Sequence, residues 1–453
     1  MLLRFTLENW MSFRDPATFS MIASKERQHG DRLPTIPKYA TRVLPIAAIY
    51  GGNASGKTNF FKALAFARTL IVRGTLPDAP IPVEPFRLDA QAAGHPVRFA
   101  FELLIGDDIY AYTMAVTRRA VVEERLVLLR AQSEELLFDR GAGEPRFAKR
   151  FERDPACQYA FRGTRDNQLF LTNSVSQRLD AFRPVHDWFR DTLELIAPDA
   201  RFGPIEHAMT EGAPLLEYLN STLPTLDTGI ARIAGEEAPL DTVQWPDGMQ
   251  RHLQETLPDG AHVRLLTPKG EHLLITRHAG ALQVRKLVTY HQRADGPSEK
   301  FDLPLESDGS RRLIDLLPAL LDLITPGSTR VYVIDEIDRS LHTLIARRLL
   351  ETHLAACGAA SRSQLLVTTH DVLLMDQSLL RRDEMWVAER DAAGASTLTS
   401  FSEYKDVRYD KDLRKSYLQG RLGGVPRLGP RMVPFPGQRD RIGTLEPATH
   451  DAA

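Results

Sequence analysis

Residues 43–59 read VLPIAAIYGGNASGKTN, and this stretch decides the fold class. The apolar run that ends at Tyr50 predicts a buried strand, and the segment from about Thr58 predicts a helix. The turn between them has the spacing G-x-x-x-x-G-K-[ST], which is met by Gly51, Gly56, Lys57 and Thr58. A strand, a glycine-rich turn and a helix in this order predict a P-loop, in which backbone N–H groups and the positive end of the helix bind phosphate.

The individual positions of this loop have distinct predicted roles. Lys57 would reach the β- and γ-phosphates of a nucleotide, and the Thr58 hydroxyl would be a ligand of Mg²⁺. The whole predicted phosphate-binding set consists of Gly51, Gly52, Asn53, Ala54, Ser55, Gly56, Lys57, Thr58 and Asn59. A glycine-rich turn that binds nothing is the alternative, and the strand–loop–helix context disfavours it. The motif alone leaves open which P-loop family this is.

The composition is that of an ordinary globular chain without a marked preference for a charged partner. The 453 residues include 57 Lys and Arg against 59 Asp and Glu, so no overall basic excess indicates nucleic acid. The two cysteines, Cys157 and Cys357, are far apart, which argues against a disulfide framework or a zinc site and favours a reducing, cytoplasmic setting. The first residues do not form a signal peptide, and no apolar run reaches the roughly 18 residues of a membrane helix, so no membrane association is expected.

The rest of the chain divides by its periodicity into β-rich and helical regions. Residues 97–116 predict a hairpin, and residues 261–294 predict further strands. Residues 166–196 and 214–235 have helical periodicity, and a strand–helix alternation resumes at Ser310. We therefore predict four regions: a first lobe with the P-loop over 1–164, an inserted helical and β lobe over 165–300, a second lobe over 301–428 and a flexible tail over 429–453.

The sequence VYVIDE at residues 331–336 predicts a buried parallel strand that ends in two acidic residues. Asp335 would hold Mg²⁺ together with Thr58. Glu336 is in position to orient or deprotonate an attacking water. The alternative is a core strand followed by the acidic cap of a helix, and these residues alone do not separate the two.

Two more segments have the same kind of ambiguity. The sequence LLVTTHD at residues 365–371 predicts a buried strand with His370 at its carboxyl end, where ligands bind in open α/β sheets and where His370 would contact a γ-phosphate. The sequence ESDGSRRL at residues 306–313 opens a helix, and a helix start binds anions by the physics of the P-loop. The predicted anion-binding residues there are Ser307, Gly309 and Ser310. Taken singly, a histidine that ends a strand and an ordinary helix cap are the simpler explanations.

The four segments together are more specific than any one of them, because their order along the chain resembles that of the ABC-type ATPases. The resemblance is to the branch that includes the SMC, RecF and OLD proteins, in which a Ser-x-Gly signature segment precedes the strand with the acidic pair. Residues 3–13, LRFTLENWMSF, resemble the opening strand of that branch. Residues 417–426, YLQGRLGGVP, are similar to the end of a bacterial family of stand-alone AAA/ABC-like ATPases. Members of that family occur in phage-defence and abortive-infection operons, some beside a RloB-type partner.

This resemblance implies an ABC-type P-loop domain, an α/β fold with a mixed or parallel sheet, flanking helices and an inserted lobe between the P-loop and the signature segment. It implies ATP and Mg²⁺ as cofactors and hydrolysis of ATP. The signature here is Ser-Asp-Gly-Ser rather than Ser-Gly-Gly-Gln, and slow turnover is expected. Asp335 would be the Walker B aspartate, Glu336 the catalytic glutamate and His370 the switch histidine. It also implies a head-to-tail dimer, because the signature segment, Ser307–Ser310, would bind the ATP held by a second copy of the chain.

Three functions remain open at this point. The stretch between Thr58 and Ser307 is too short for the long arms of SMC proteins, and few residues follow His370, so an effector on a separate chain is expected. The first hypothesis is an ATP-gated dimeric sensor or scaffold in a bacterial anti-phage system, which controls such an effector, with a nuclease as one candidate. The second is a DNA-repair ATPase that clamps duplex DNA. The candidates for its groove are the pairs Arg311-Arg312, Arg347-Arg348 and Arg381-Arg382. The third is a toxin–antitoxin component in which ATP only stabilises a complex.

Overall fold

A computed structural model describes residues 1–141, 146–200, 213–243, 245–267, 270–404 and 412–425. The predicted flexible tail over 429–453 lies outside these described residues. Among the helices of the described ranges, none is long and apolar enough to cross a membrane.

A central, six-stranded sheet carries the predicted P-loop. Its strands, in spatial order, are β11 (Leu193–Ile196), β17 (Val331–Ile334), β18 (Gln364–Thr368), β5 (Ile46–Tyr50), β19 (Met385–Arg390) and β20 (Ser396–Ser400). The first five are parallel, and β20 is antiparallel to β19. Every residue of β5, β17 and β18 is buried, as expected for parallel strands covered on both faces. Because the carboxyl ends of parallel strands share one edge, the segments that follow these strands come together there.

The central sheet separates two large hydrophobic cores. Alternate residues of β5 face the two sides, with Ile49 in the first core and Tyr50 in the second. The covering helices are α1 (Lys57–Arg73) on the first face, and α8 (Asp308–Ile324), α9 (Thr343–Ala355) and α10 (Leu413–Leu418) on the second. The predicted helix after the P-loop is thereby confirmed.

A seven-stranded antiparallel sheet encloses the first core together with α1. Its strands, in spatial order, are β10 (Arg146–Phe147), β9 (Glu134–Arg140), β8 (Val121–Leu129), β7 (Asp108–Val116), β6 (Val97–Ile105), β1 (Leu2–Glu8) and β2 (Ala17–Ser20). Phe5 of β1 stacks on Phe101 of β6 with ring centroids 4.7 Å apart and meets Phe60 of α1 edge-on at 5.5 Å. The predicted hairpin is β6–β7. A small separate pair is formed by β3 (Thr35–Ile36) and β4 (Thr41–Arg42).

Short helices close the far side of the first core, and a buried carboxylate fixes one of them. The helices are α2 (Lys149–Glu152), α3 (Pro155–Arg162), α4 (Phe170–Ser176) and α5 (Arg183–Asp187). The fully buried Glu124 of β8 accepts hydrogen bonds from the Phe170 N–H at 2.5 Å, the Leu171 N–H at 2.9 Å and the Tyr112 hydroxyl at 2.9 Å. The carboxylate therefore satisfies two otherwise unpaired N–H groups at the start of α4.

A third, five-stranded antiparallel sheet is inserted between the P-loop and the signature segment. Its strands are β12 (Ile230–Ala238), β15 (Ala281–His291), β14 (His272–His278) and β13 (His262–Leu266) in spatial order, with β16 (Glu299–Asp302) paired to β15. The accompanying helices are α6 (Pro214–Thr222) and α7 (Met249–Thr256). The predicted insertion is thus present, with its own small core.

One predicted helix in this insertion is wrong. The periodicity predicts helix over 214–235, but α6 ends at Thr222 and β12 begins at Ile230. Both Ile230 and Ile233 are buried, and this spacing of three imitates a helical face because a bulge shifts the strand register between Ile230 and Arg232. Strand β11 likewise lies in a region with helical periodicity. The four region boundaries stay predictions.

Candidate functional site

The loop between β5 and α1 has backbone conformations that favour glycine at two positions. Gly51 has φ +151° and Gly56 has φ +114°. A Cβ atom on Gly51 would lie 2.5 Å from the Ala388 carbonyl oxygen, and one on Gly56 would lie 2.6 Å from Ser396 Oγ. Strands β19 and β20 therefore lie directly against the loop, and the two glycines let the chain turn within this space.

Lys57, the first residue of α1, is buried beside the loop. Its Nζ donates hydrogen bonds to the carbonyl oxygens of Gly51 at 2.7 Å and Gly52 at 3.0 Å, and lies 3.3 Å from His370 Nδ1. Burial lowers the pKa of Lys57 to about 8. Because the two carbonyl acceptors are neutral, an anionic phosphate would be a stronger partner for this ammonium group.

Asp335 follows β17 and has no exposed surface. Its Oδ1 accepts a hydrogen bond from Thr368 Oγ1 at 2.5 Å, whereas its Oδ2 is buried without a hydrogen-bond partner among the described residues. Burial raises the pKa of this carboxyl group, and the hydroxyls of Thr368 and Thr58 act to lower it. The buried Oδ2 of Asp335 and the nearby hydroxyl of Thr58 fit Mg²⁺, because this ion prefers oxygen ligands.

Glu336 and His370 face each other at the carboxyl edge of the central sheet. Glu336 has a left-handed backbone, with φ +50°, and its N–H donates to Thr368 Oγ1 at 2.8 Å. The Nε2 of His370 lies 3.5 Å from Glu336 Oε1, and the His370 N–H donates to Asp338 Oδ2 at 3.2 Å. The side chains of Glu336 and His370 are 32% and 37% exposed, so both reach water. The other ring nitrogen of His370, Nδ1, lies beside Lys57. His370 therefore lies between the P-loop lysine and Glu336.

Lys57, Glu336 and His370 line an open cavity of about 730 Å³ beside the P-loop. Its walls contain nine of the predicted site residues, which are Asn53, Ala54, Ser55, Gly56, Lys57, Thr58, Asn59, Glu336 and His370. The other lining residues are Met11, Ser12, Glu84, Pro85, Phe86, Arg87, Leu88, Arg390 and Gly394. The volume lies in the range of small-molecule sites.

Three residues that the sequence does not predict support this site. Thr368 bonds to both acidic residues, as described above. Ser12 Oγ accepts hydrogen bonds from Asn59 Nδ2 at 2.8 Å and from Ser396 Oγ at 2.8 Å, so it ties the N-terminal turn and β20 to the start of α1. Thr368 lies two residues before His370, which the sequence predicts, so its position in the sequence could have been used to find it. Nothing local in the sequence marks the two serines.

The predicted signature residues lie at the start of α8, outside the P-loop cavity. Ser307 caps this helix, since its Oγ accepts a hydrogen bond from the Ser310 N–H at 3.1 Å. A Cβ atom on Gly309 would lie 2.7 Å from the Ser340 carbonyl oxygen, so the helix start packs against the segment that follows Glu336. A separate cleft of about 190 Å³ beside it includes Asp308, Arg311 and Arg339 in its lining. A single copy of the chain therefore brings the loop, Glu336 and His370 together but leaves the signature segment apart.

A P-loop, an acidic pair and a histidine at one edge of a buried parallel sheet define a P-loop ATPase of the ABC type. Residues 46–376 match the family model described as "AAA domain, putative AbiEii toxin, Type IV TA system", and the chain belongs to this family. The predicted fold class and the resemblance to ABC-type ATPases are thereby confirmed.

Two solved SMC head structures are similar to the chain. The SMC head domain from Thermotoga maritima is 14% identical over 88% of this chain and 98% of that one, with a TM-score of 0.36. The SmcHead bound to the C-winged helix domain of ScpA is 12% identical over 88% of this chain and 97% of that one, with a TM-score of 0.38. The comparison with curated proteins gave no match.

Proposed function

We propose that the chain binds ATP with Mg²⁺, hydrolyses it slowly and acts as an ATP-gated dimeric switch. The observation that carries this proposal is the convergence of Lys57, Asp335, Glu336 and His370 at the carboxyl edge of the central sheet. Membership in a family of AAA domains supports a nucleotide as the ligand. The cavity beside the loop, about 730 Å³, is large enough for one nucleotide.

In this site the Lys57 ammonium group exchanges its two carbonyl acceptors for phosphate oxygens, and the N–H groups of the loop and of the first turn of α1 donate to the same phosphates. Thr58 and Asp335 would hold Mg²⁺, which when bound neutralises charge on the phosphates. Glu336 accepts a proton from the attacking water. The water oxygen forms a bond to the γ-phosphorus while the bond between the γ-phosphorus and the β–γ bridging oxygen breaks. In the nucleotide-free protein the Nε2 of His370 faces Glu336 and orients it, and with ATP bound the Nε2–H would donate to the γ-phosphate instead.

The affinity for ATP is expected to fall as the pH rises above about 8, the pKa that burial gives to Lys57 in the nucleotide-free protein. Phosphate favours the charged ammonium, so the pKa of Lys57 is higher in the complex and binding takes up a proton above that pH. The Kd should then increase by up to about 10-fold per pH unit, and change little below the pKa. Titration calorimetry in two buffers of different ionisation enthalpy measures both the Kd and the proton uptake. An affinity without pH dependence up to about pH 9 would contradict this role of the lysine.

A second copy of the chain enters the proposal through the signature segment. Ser307, Gly309 and Ser310 lie outside the P-loop cavity, at a helix start of the kind that binds anions. In a head-to-tail pair, each helix start would contact the γ-phosphate of ATP bound to the other copy. ATP would therefore close the dimer, and hydrolysis would open it.

The biological role in this proposal is the control of a separate effector, for which a nuclease is one candidate, during phage infection. The resemblance of the chain to ATPases of abortive-infection operons supports this role. The family description, which names a toxin and a type IV toxin–antitoxin system, favours a second candidate, in which the chain is one component of such a pair. Tight complex formation with very slow ATP turnover would distinguish the second candidate from the first.

The arginine pairs that motivate a DNA clamp give that hypothesis little support. Arg381 is fully buried against Asp383, and Arg347 is ion-paired with Asp376. A groove that binds DNA backbone needs exposed cations that can neutralise phosphates. Five of the six arginines are buried or ion-paired and one, Arg348, is exposed, so DNA binding stays a prediction that these residues support little.

Bacteria that carry the chain with its neighbouring genes are expected to resist phage, and Lys57→Ala or Glu336→Gln should abolish this resistance because each stops the ATP cycle. Plaque counts on cells with matched protein levels measure the effect, and Lys62→Ala, an exposed lysine of the same helix, is the control. Full resistance with both variants would contradict the defence role. Toxicity of the chain alone that a neighbouring gene suppresses would favour the toxin–antitoxin candidate.

A further inference from the structure

The last described segment, residues 412–425, packs against the outer side of the P-loop. It consists of α10 and a turn with two consecutive glycines. Its side chains Tyr417 and Leu422 are buried in the same core as Tyr50, the residue that precedes the loop. The segment is thus held in place by its own apolar contacts, and the turn is presented to the loop.

The carbonyl oxygen of Gly424 accepts two hydrogen bonds that link this segment to the loop. One comes from the Gly52 N–H at 2.8 Å, and the other comes from the Tyr417 hydroxyl at 2.9 Å. The carbonyl oxygen of Gly52 in turn accepts hydrogen bonds from Lys57 Nζ at 3.0 Å and from the Ser55 N–H at 3.3 Å. A series of contacts therefore runs from Tyr417 through Gly424 and Gly52 to the lysine of the loop.

The fit of the turn leaves no room for a side chain at Gly424. This residue has φ +69°, and a Cβ atom there would collide with Val387 Cγ2 and lie 3.2 Å from Tyr417 Cε2. Val387 belongs to β19 and pairs with Tyr50 at the end of β5. The glycine turn therefore lies at the point where β5 ends and the P-loop begins.

We propose that Tyr417 and Gly424 are positioning residues of the nucleotide site, which act through Gly52 on the loop that holds Lys57. This inference rests on the function proposed above, since the ligand is taken to be ATP. By fixing the Gly52 peptide from outside the cavity, the two residues keep the loop in one conformation before the nucleotide arrives. Less conformational freedom is then lost on binding, which raises the affinity.

A purely structural role of the segment has different consequences. If the segment only fills the second core, loss of the Tyr417 hydroxyl lowers the thermal stability and leaves the ATP affinity of the folded protein unchanged. A positioning role changes the affinity at temperatures at which every variant is fully folded. If the residue has this role, its substitution also raises KM more than it lowers kcat, because the residue acts on the binding of ATP rather than on the groups that activate water.

Three variants separate these possibilities. Tyr417→Phe removes the hydroxyl and keeps the buried ring, and Gly424→Ala introduces the colliding Cβ. Gly420→Ala is the matched control, because Gly420 has φ +74° in the same segment and a Cβ there meets no atom of the described residues within 4 Å. The measurements are the Kd for ATP by titration calorimetry, KM and kcat, and the melting temperature of the nucleotide-free protein. We expect the Kd to rise about 5-fold for Tyr417→Phe, further for Gly424→Ala, and not at all for Gly420→Ala.

Equal Kd values for the wild type and Tyr417→Phe would overturn this inference and leave the proposed ATP switch intact. A wild-type protein that binds no ATP would overturn the proposed function itself. If Gly424→Ala does not fold, Tyr417→Phe decides the question, because the ring that fills the core remains in place. A rise in Kd for Gly420→Ala equal to that for Gly424→Ala would trace the effect to backbone strain and would also overturn the inference.

Discussion

Replacing Lys57 by alanine is expected to weaken ATP binding by about 100-fold, because the loop loses charge-assisted hydrogen bonds to phosphate worth about 3 kcal/mol in total. The fold should tolerate the change. Burial disfavours the charged form of Lys57 and its acceptors in the nucleotide-free protein are two loop carbonyls, so little native-state stabilisation is lost. Titration calorimetry with ATP, together with the melting temperature, measures the two effects separately. Lys62→Ala, an exposed lysine on the same helix, should bind as the wild type does.

The same variant tests the composite site when it is mixed with a signature variant. Gly309→Ala forces a Cβ against the Ser340 carbonyl oxygen at the start of α8, so it should impair hydrolysis while each chain still binds ATP. In a mixed dimer of Lys57→Ala and Gly309→Ala chains, one of the two sites carries both changes and the other carries neither. ATPase activity should therefore return towards half of the wild-type value. Two inactive variants that stay inactive when mixed, although they bind each other, would contradict the shared site.

The P-loop edge of the fold is predictable from the sequence because each of its parts is a short local pattern. Strands β5 and β17 are runs of buried apolar residues, and β18 has such a run at its centre, between the buried Gln364 and Thr368. A predicted site residue follows each strand within two positions, which is Gly51 after β5, Asp335 after β17 and His370 after β18. Since the carboxyl ends of parallel strands share one edge, Lys57, Asp335 and His370 are expected to meet without any knowledge of the intervening chain. The nearly 280 residues between Lys57 and Asp335 therefore do not obscure the site.

The residues that hold the site in place are not predictable from the sequence, because each of them contacts a segment that is far away along the chain. Ser12 and Ser396 share a hydrogen bond across 384 residues, and Gly52 and Gly424 meet in the same way. A lone serine or glycine has no local pattern that names its partner. The resemblance at residues 3–13 and 417–426 points to both ends of the chain, but the contacts that join these ends to the P-loop become visible only in the fold.

Replacing Glu336 by glutamine is expected to leave ATP binding intact and to slow hydrolysis by about 100-fold or more, because an amide cannot accept the proton of the attacking water. The substitution keeps the size of the side chain. The hydrogen bond from residue 336 to Thr368 Oγ1 is made by the backbone N–H, so it survives the change. Asp335 and Thr58, the proposed Mg²⁺ ligands, are untouched. Phosphate release in single-turnover experiments measures the rate, and Glu255→Gln, an exposed glutamate of α7, is the control.

This variant also connects the chemistry to assembly. If hydrolysis opens the dimer, Glu336→Gln with ATP should accumulate as a particle of twice the chain mass of 50.8 kDa, whereas Lys57→Ala should stay monomeric. Light scattering after gel filtration with and without ATP gives the mass directly. A Glu336→Gln protein that hydrolyses ATP at the wild-type rate would exclude Glu336 as the base. A Glu336→Gln protein that binds ATP and stays monomeric would instead contradict the dimeric switch. The ATP-bound dimer is expected to persist when hydrolysis is slow.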